Sequence, residues 1–173
     1  IAKAKSEIIN NIQNNGTIIL NRDDRFFNFL NTKAKSKKIK VVTFGKSKNS
    51  DVRLIKTKKN NSVKKITIST KDKILKLKIK DINVYNVLAS IAVLQELDLN
   101  FQKSTQAFKN FKPSEGRGRI HKIKRYKKFF RLIDESYNAN PLSVKNALNN
   151  FSEIKKDNFK KYLLLGDMLE LGK

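Results

Sequence analysis

The chain has 173 residues, which is enough for one domain of ordinary size or two small ones. It has no cysteine and a single histidine, His121, which excludes disulfides, thiolate metal sites and histidine clusters. Its formal net charge of +24 raises nucleic acid as a partner, but the lysines are spread along the whole length, as on a solvated surface. No apolar run reaches the roughly 20 residues that span a bilayer, so we expect no membrane span.

Helices and strands alternate in the predicted structure of the N-terminal part. The apolar period over 2–12 predicts a helix, and the β-branched run 17–20 predicts a buried strand that ends in the polar sequence NRDD. The phenylalanines of 26–30 predict a second helix, which the lysine-rich segment 33–38 closes. A second buried strand is predicted over 39–44. This order is typical of an α/β fold with parallel strands.

The pattern then changes. From 51 to 79, apolar residues alternate with lysines, which predicts antiparallel strands with one face in water. The broad apolar face over 83–97 predicts the strongest helix of the chain, and a shorter helix is predicted over 104–111. Asn83 and Asn86 lie three residues apart on one face of the first turn. Asn83 is either an N-cap or, with Asn86, part of an amide pair that reads the edge of a purine.

The segment KPSEGRGR, residues 112–119, is the clearest break in the chain, and we place a domain boundary there. This predicts one domain over 1–112 and a second over 113–173. Glycines flank Arg117 and let its guanidinium approach a ligand closely, and the planar fork of arginine is well suited to phosphate. The alternative interpretation of this segment is a basic linker.

The second domain begins with two predicted strands, over 120–126 and 129–133. The polar loop DESYNAN then leads into a helix, with Asn140 as its cap and Pro141 in its first turn. A further strand predicted over 162–165 would complete a right-handed βαβ unit. Ligands bind at the loops that leave strand ends in α/β folds, so the DESYNAN loop is either a binding site or a capped turn.

Seven segments occur along the chain in the order known from one enzyme family. They are IAKAKSEI, NRDD, VVTFG, NVYNVLASIAV, GRGR, IDESYNANPLSVKNAL and LLLGDMLELGK. On these segments the chain resembles the Mur ligase family. The resemblance implies an α/β fold, with the C-terminal part of the central ATP-binding domain, a mixed sheet with helices, over 1–112 and the start of a Rossmann-like domain over 113–173. It also implies an internal fragment that is inactive alone, because the family's phosphate-binding loop and upstream magnesium ligands would precede Ile1.

Parts of two of these segments, DESYNANP and LGDMLELG, resemble one branch of the family. That branch implies an ATP-dependent, ADP-forming ligase that adds D-alanyl-D-alanine to UDP-N-acetylmuramoyl-tripeptide through an acyl phosphate, in cytoplasmic peptidoglycan synthesis. ATP and Mg²⁺ are the implied cofactors, and we expect a monomer without a nucleic-acid partner. Two alternatives stay open. One is another Mur or folylpolyglutamate-type ligase, and the other is a basic nucleic-acid-binding module built on the basic and aromatic segment 121–131.

The resemblance implies roles for four residues around the nucleotide. Lys5 matches the lysine that becomes carbamylated and helps to hold magnesium, since a carbamate offers the hard oxygen ligand that Mg²⁺ prefers. Asn83 and Asn86 match the asparagines on the adenine side, although Ile82 stands where the family usually has histidine. Arg117 matches a catalytic arginine that reaches the ATP phosphates across the domain interface.

The DESYNAN loop carries the remaining candidates. Asp134 and Glu135 match the acidic pair on the nucleotide, with Glu135 expected on the ribose hydroxyls. Further residues are implied on the substrate side of the cleft: Tyr137, Asn138, Asn140 and Asp167. Asp167, just past the predicted strand over 162–165, is either a contact on the acceptor side or the cap of a following helix.

Overall fold

The computed structural model describes residues 2–60, 63–80, 82–154 and 160–168. The chain divides into two compact units, Ile1–Phe111 and Lys112–Lys173. This division lies next to the break predicted at the segment KPSEGRGR. Within the described residues, no helix is both long and apolar enough to cross a membrane.

The described residues of the first unit form a short helix, a 3₁₀ helix, five strands and three longer helices. In chain order these are α1 (Ala2–Lys5), the 3₁₀ helix Ser6–Asn11, β1 (Thr17–Asn21), α2 (Phe27–Ser36), β2 (Lys40–Gly45), β3 (Val52–Asn60), β4 (Val63–Ser69), β5 (Ile74–Lys80), α3 (Val84–Glu96) and α4 (Phe101–Lys109). The five strands form one sheet in the order β1-β2-β3-β4-β5. β1, β2 and β3 pair in parallel, whereas β3, β4 and β5 pair antiparallel. The predicted change from parallel to antiparallel strands is confirmed.

The sheet is mixed because its strands have two kinds of sequence. β5 reads ILKLKIK, and its leucines and Ile79 are half-buried or buried while the lysines between them are exposed. Such alternation fits a sheet with one face in water, as predicted. β2 reads KVVTFG, in which Val42 and Thr43 are both buried. Adjacent residues of a strand point to opposite faces, so β2 is covered on both sides.

Helix α3 lies against the sheet and completes the core. Its buried residues Val87, Leu88, Ile91 and Ala92 pack in one cluster with residues of the sheet and of α4: Val42, Val52, Ile66, Ile68, Ile79 and Phe108. Burying an aliphatic side chain of this size stabilises the fold by about 1.5–3 kcal/mol relative to leaving it exposed. The core therefore fixes α3 on the sheet, as the strong apolar period over 83–97 predicts.

The N-terminal helix is the main departure from prediction in the first unit. A continuous helix was expected over 2–12, but α1 ends at Lys5 and the next six residues form a 3₁₀ helix. The Ser6 hydroxyl donates to the Lys3 carbonyl oxygen at 2.6 Å, a bond that competes with helix propagation. Ile9 is fully buried whereas Ile8 is mostly exposed, so the isoleucines do not share one buried helical face. The different exposures of Ile8 and Ile9 fit the tighter 3₁₀ helix, which has three residues per turn.

The described residues of the second unit form a β-hairpin and a helix. They are β6 (Arg119–Arg125), β7 (Lys128–Asp134) and α5 (Pro141–Ser152). The two residues between the strands, Tyr126 and Lys127, both have positive φ, at 50° and 59°, as a tight two-residue hairpin turn requires. Asn140 caps α5 by accepting from the Ser143 N–H at 2.9 Å, and Pro141 occupies the first turn. The predicted cap and helix start are confirmed.

The predicted strand over 162–165 and the βαβ unit are wrong. In the described part of the chain, β6 and β7 pair with each other in antiparallel fashion, and 160–168 form neither helix nor strand. Leu164 is 95% exposed, so this apolar run is not sandwiched between layers as a parallel strand would be. Lys161 instead donates to the carbonyl oxygen of Phe151 at 3.1 Å and ties the segment to the C-terminal end of α5.

Candidate functional site

The loops that follow β1 and β2 meet at the carboxylate of Asp23. Its Oδ2 accepts from the Lys46 N–H at 2.6 Å, and its Oδ1 accepts from the Ser47 N–H at 3.0 Å. The Tyr85 hydroxyl, from the first turn of α3, also donates to Oδ2 at 3.0 Å. The two loops lie together because the carboxyl ends of parallel strands share one edge of the sheet. Asp23 thus joins three parts of the chain at that edge.

The contacts within this cluster shift the pKa values of Asp23 and Tyr85 in opposite directions. Burial raises the pKa of Asp23, but the hydrogen bonds from Lys46, Ser47 and Tyr85 outweigh burial and leave that pKa below its usual value. Burial and the hydrogen bond to Asp23 raise the pKa of Tyr85. The Asp23 carboxylate is therefore stabilised in its charged form and the Tyr85 phenol in its neutral form. The neutral phenol keeps the proton that it donates to the carboxylate. The Lys46 ammonium also lies 5.7 Å from the centre of the Tyr85 ring.

Neither Asp23 nor Tyr85 was among the residues predicted from sequence. The signal was present in the polar NRDD that follows β1 and in the tyrosine of NVYN, which lies between the candidate residues Asn83 and Asn86. The pairing itself joins residues 62 positions apart, so it depends on how α3 meets the sheet.

Asn83 and Asn86 lie at the same end of α3 as Tyr85. Asn83 is the N-cap, and its Oδ1 accepts from the Tyr85 N–H at 2.8 Å. Its backbone carbonyl accepts from the Asn86 N–H at 3.1 Å, and both side chains are exposed. The capping interpretation of Asn83 is confirmed, whereas contact with a purine stays a prediction for both residues.

Lys5 is the last residue of α1, and its side chain is exposed. It precedes the buried Ser6, whose hydroxyl accepts from the Lys33 ammonium at 2.9 Å. Within the described residues, no group of three or more histidine, aspartate or glutamate side chains is arranged to hold a metal ion. Magnesium binding by a carbamate on Lys5 stays a prediction. The donor chemistry suits it, because Mg²⁺ commonly takes one or two carboxylate-type oxygens and fills its remaining positions with water and substrate phosphate.

In the second unit, the GRG segment packs on the DESYNAN loop. The carboxylate of Asp134 accepts from the N–H groups of Gly116 at 3.1 Å and Ser136 at 3.0 Å. Its backbone carbonyl accepts from the Gly118 N–H at 2.7 Å, and the Gly116 carbonyl accepts from the Tyr137 N–H at 3.1 Å. Gly116 has φ of +70°, and a Cβ there would lie 2.7 Å from the Tyr137 Cβ. Only glycine fits this close approach.

This packing brings three predicted residues together around the segment. The guanidinium carbon of Arg117 lies 4.4 Å from the centre of the Tyr137 ring, in a cation–π contact. The carboxylate of Glu135 lies beside Gly118, where an added Cβ would come within 3.0 Å of Oε1. Arg117, Glu135 and Tyr137 are all exposed, so their functional groups are accessible to a ligand.

The two adjacent acidic residues have different environments. Hydrogen bonds from Ser136, by its side chain and its N–H, and then from the Gly116 N–H keep the pKa of Asp134 below its usual value. Partial desolvation and the neighbouring Asp134 charge raise the pKa of Glu135. Asp134 is engaged in holding the loop, so Glu135 is the better placed of the two to meet a ligand. A nucleotide role for either one stays a prediction.

The other predicted residues of this unit are Asn138, Asn140 and Asp167. Asn138 is exposed in the loop, and the side chain of Asn140 is engaged in capping α5. Asp167 is exposed and follows no strand, because the strand predicted before it is absent. A helix after Asp167 would fall in 169–173, outside the described residues.

The profile of the Mur ligase middle domain matches residues 1–94, more than half of the chain. The chain belongs to the Mur ligase family. This assignment agrees with the mixed sheet of the first unit and with the order of motifs along the sequence.

Curated and solved relatives extend the likeness beyond the matched domain. The UDP-N-acetylmuramoyl-tripeptide–D-alanyl-D-alanine ligase of Rickettsia prowazekii is 28% identical to this chain. The alignment covers 99% of this chain and 38% of the ligase. The crystal structure of MurF from Acinetobacter baumannii superposes with a TM-score of 0.72 at 22% identity, over 88% of this chain and 33% of that one. MurF ligase from Thermotoga maritima, solved in complex with ADP, gives a TM-score of 0.67 at 21% identity, over 87% and 34% of the two chains. The chain thus matches only 33–38% of the length of these relatives, and the structural likenesses establish the fold.

Proposed function

We propose that the chain is the nucleotide-binding segment of an ATP-dependent, ADP-forming ligase that adds D-alanyl-D-alanine to UDP-N-acetylmuramoyl-tripeptide. The observation that carries the proposal is the likeness to a ligase of that name over 99% of the chain, which includes both units. The reaction serves peptidoglycan precursor synthesis and takes place in the cytoplasm, with ATP and Mg²⁺ as cofactors. We propose that the ligase is a monomer, and its partners are the two substrates.

The proposed chemistry proceeds in two steps. A carboxylate oxygen of the tripeptide attacks the γ-phosphorus of ATP, which forms an acyl phosphate and releases ADP. The amine of D-alanyl-D-alanine then attacks the acyl carbon, and the tetrahedral intermediate collapses to the amide with loss of inorganic phosphate and a proton. Neither step needs a protein nucleophile, and both need neutralisation of negative charge on phosphate.

Residues of this chain supply part of that charge neutralisation and orientation. Arg117 binds the transferred phosphate, and Lys5, as its carbamate, would hold a magnesium ion, which would supply positive charge beside the phosphate. Asn83 and Asn86 bind adenine through their amides, and Glu135 accepts hydrogen bonds from the ribose hydroxyls. Asp134 supports Glu135 by holding the loop. Four residues are proposed on the peptide side: Tyr137, Asn138, Asn140 and Asp167.

The test of the proposal is an assay of phosphate release from ATP. The assay uses the full protein as its gene encodes it. With UDP-N-acetylmuramoyl-tripeptide present, we expect release that depends on D-alanyl-D-alanine and is absent with L-alanyl-L-alanine. The competing outcome is tight RNA binding at moderate salt with no such release, since purely electrostatic RNA binding weakens steeply as salt rises. That outcome would replace the ligase by the basic nucleic-acid-binding module considered from the sequence.

Glu135 gives a prediction specific to the nucleotide. Replacing Glu135 by alanine should raise the KM for ATP about tenfold with little change in kcat, because a ribose contact is the same in the ground and transition states. The matched control is Glu115→Ala, which removes a carboxylate paired with Arg119 at 3.2 Å in the same unit and should leave the KM for ATP unchanged. An unaltered KM for ATP in Glu135→Ala would remove Glu135 from the ribose site.

A further inference from the structure

The position of α3 on the sheet is fixed by two kinds of contact. Its inner face is apolar, with Val87, Leu88 and Ile91 buried in the core. Apolar contact is non-directional, so it holds a helix on a sheet without strictly fixing its rotation or its displacement along the axis. Hydrogen bonds depend on distance and angle, and the Tyr85 hydroxyl makes one to Asp23 from the first turn of α3. That turn therefore has a directional anchor which the core does not supply.

The anchor works only if the Asp23 carboxylate is itself held in place. The N–H groups of Lys46 and Ser47 bind one oxygen each, so the loop after β2 fixes both ends of the carboxylate. A Cβ added to Gly45 would lie 2.8 Å from the Asp23 Oδ2, which means that the backbone closes on the carboxylate without room for a side chain. Asp23 is thus a rigid acceptor, and Tyr85 is the group that it positions.

The residues on either side of Tyr85 are the ones with a proposed ligand. Asn83 binds the Tyr85 N–H through its side chain and the Asn86 N–H through its carbonyl. A shift of Tyr85 therefore moves both asparagines. We propose that Asp23 is a positioning residue for nucleotide binding. Asp23 acts through the Tyr85 hydroxyl and holds Asn83 and Asn86 where they meet adenine. The inference rests on the proposed function, because that function gives the two asparagines their ligand.

The experiment compares three variants of the full protein as its gene encodes it: Tyr85→Phe, Asp23→Asn and the double variant. Tyr85→Phe keeps the ring and removes only the hydroxyl, so it is the variant that best preserves folding. We expect each single variant to raise the KM for ATP about tenfold with a smaller change in kcat, because the anchor affects binding and not the transferred phosphate. The double variant should be no worse than the more affected single variant, since Asp23 is proposed to act through the Tyr85 hydroxyl.

The matched control is Asp24→Asn, which makes the same charge change one residue further along the same loop. The Asp24 carboxylate accepts from the Phe26 N–H at 2.8 Å, at the start of α2, so the KM for ATP should stay at its original value. A KM for ATP within twofold of wild type in Tyr85→Phe and Asp23→Asn would overturn the inference. Effects of the two substitutions that multiply in the double variant would also overturn it, because they would mean that Asp23 does not act through Tyr85.

Direct titration with ATP separates this inference from the proposed function. Absence of D-alanyl-D-alanine-dependent phosphate release by the wild-type protein would refute the function alone, and the dissociation constant for ATP would still report on the anchor. A weaker ATP complex in Tyr85→Phe, with a normal complex in Asp24→Asn, supports the inference in either case. Equal ATP affinities in all variants refute it even if the ligase activity is found.

Discussion

Replacing Lys5 by alanine is expected to reduce ligase turnover by about a hundredfold or more, because it removes the proposed oxygen ligand to magnesium. Lys5 lies exposed at the end of α1, so carbon dioxide can reach its amine. The carbamate would provide an oxygen ligand from a residue that is otherwise a cation. Turnover is measured as phosphate release from ATP in the presence of both peptide substrates.

Two further measurements distinguish a carbamate from a simple positive charge. Formate or acetate added to Lys5→Ala should restore part of the activity, because a small carboxylate can take the position of the carbamate oxygens. Lys3→Ala is the matched control, since Lys3 is also exposed in α1 and contributes its backbone carbonyl to the bond with Ser6. Normal turnover in Lys5→Ala, or an equal loss in Lys3→Ala, would contradict the assignment.

The mixed sheet could be predicted from sequence because its strands differ in a way that single residues reveal. The alternation of ILKLKIK in β5 identifies a strand with one wet face, and the compact β-branched runs of β1 and β2 identify strands in the parallel part. The cap of α5 was equally accessible, since Asn140 and Pro141 act within one helical turn. Features that depend on local periodicity or local hydrogen bonds can thus be predicted.

Features that depend on distant partners could not. The apolar run at 162–165 has the composition of a strand, but it forms none. A strand exists only where another strand pairs with it, and the sequence of the run does not show whether such a partner is present. The bond from Tyr85 to Asp23 likewise depends on the seating of α3 over the sheet. In the site, the family resemblance identified Arg117 and Tyr137 separately, while their stacking required knowledge of how the GRG segment packs on the next loop. The contacts of a residue with its neighbours in sequence can therefore be predicted more readily than its tertiary contacts.

Arg117→Ala is expected to lower kcat by about 10²–10³-fold, which is the usual cost of removing one preorganised donor from a developing oxyanion. The flanking glycines bring the backbone close to the loop, and the Tyr137 ring 4.4 Å from the guanidinium carbon limits the rotamers of a long side chain. Less conformational freedom then remains to be lost when phosphate binds. Arg117→Lys should recover only part of the loss, because an ammonium lacks the planar fork that contacts two phosphate oxygens.

The stacking partner and the neighbouring arginine make this prediction specific. With both peptide substrates saturating, Tyr137→Phe keeps an aromatic face and should leave kcat nearly unchanged, whereas Tyr137→Ala should lower it by freeing the arginine. Arg119→Ala removes the same charge two residues away, from a side chain paired with Glu115, and should have little effect. If Arg119→Ala lowered kcat as much as Arg117→Ala, the effect would be one of general positive charge on the loop. A loss confined to Arg117, reduced by lysine and reproduced in part by Tyr137→Ala, requires a guanidinium held in one orientation toward the phosphate.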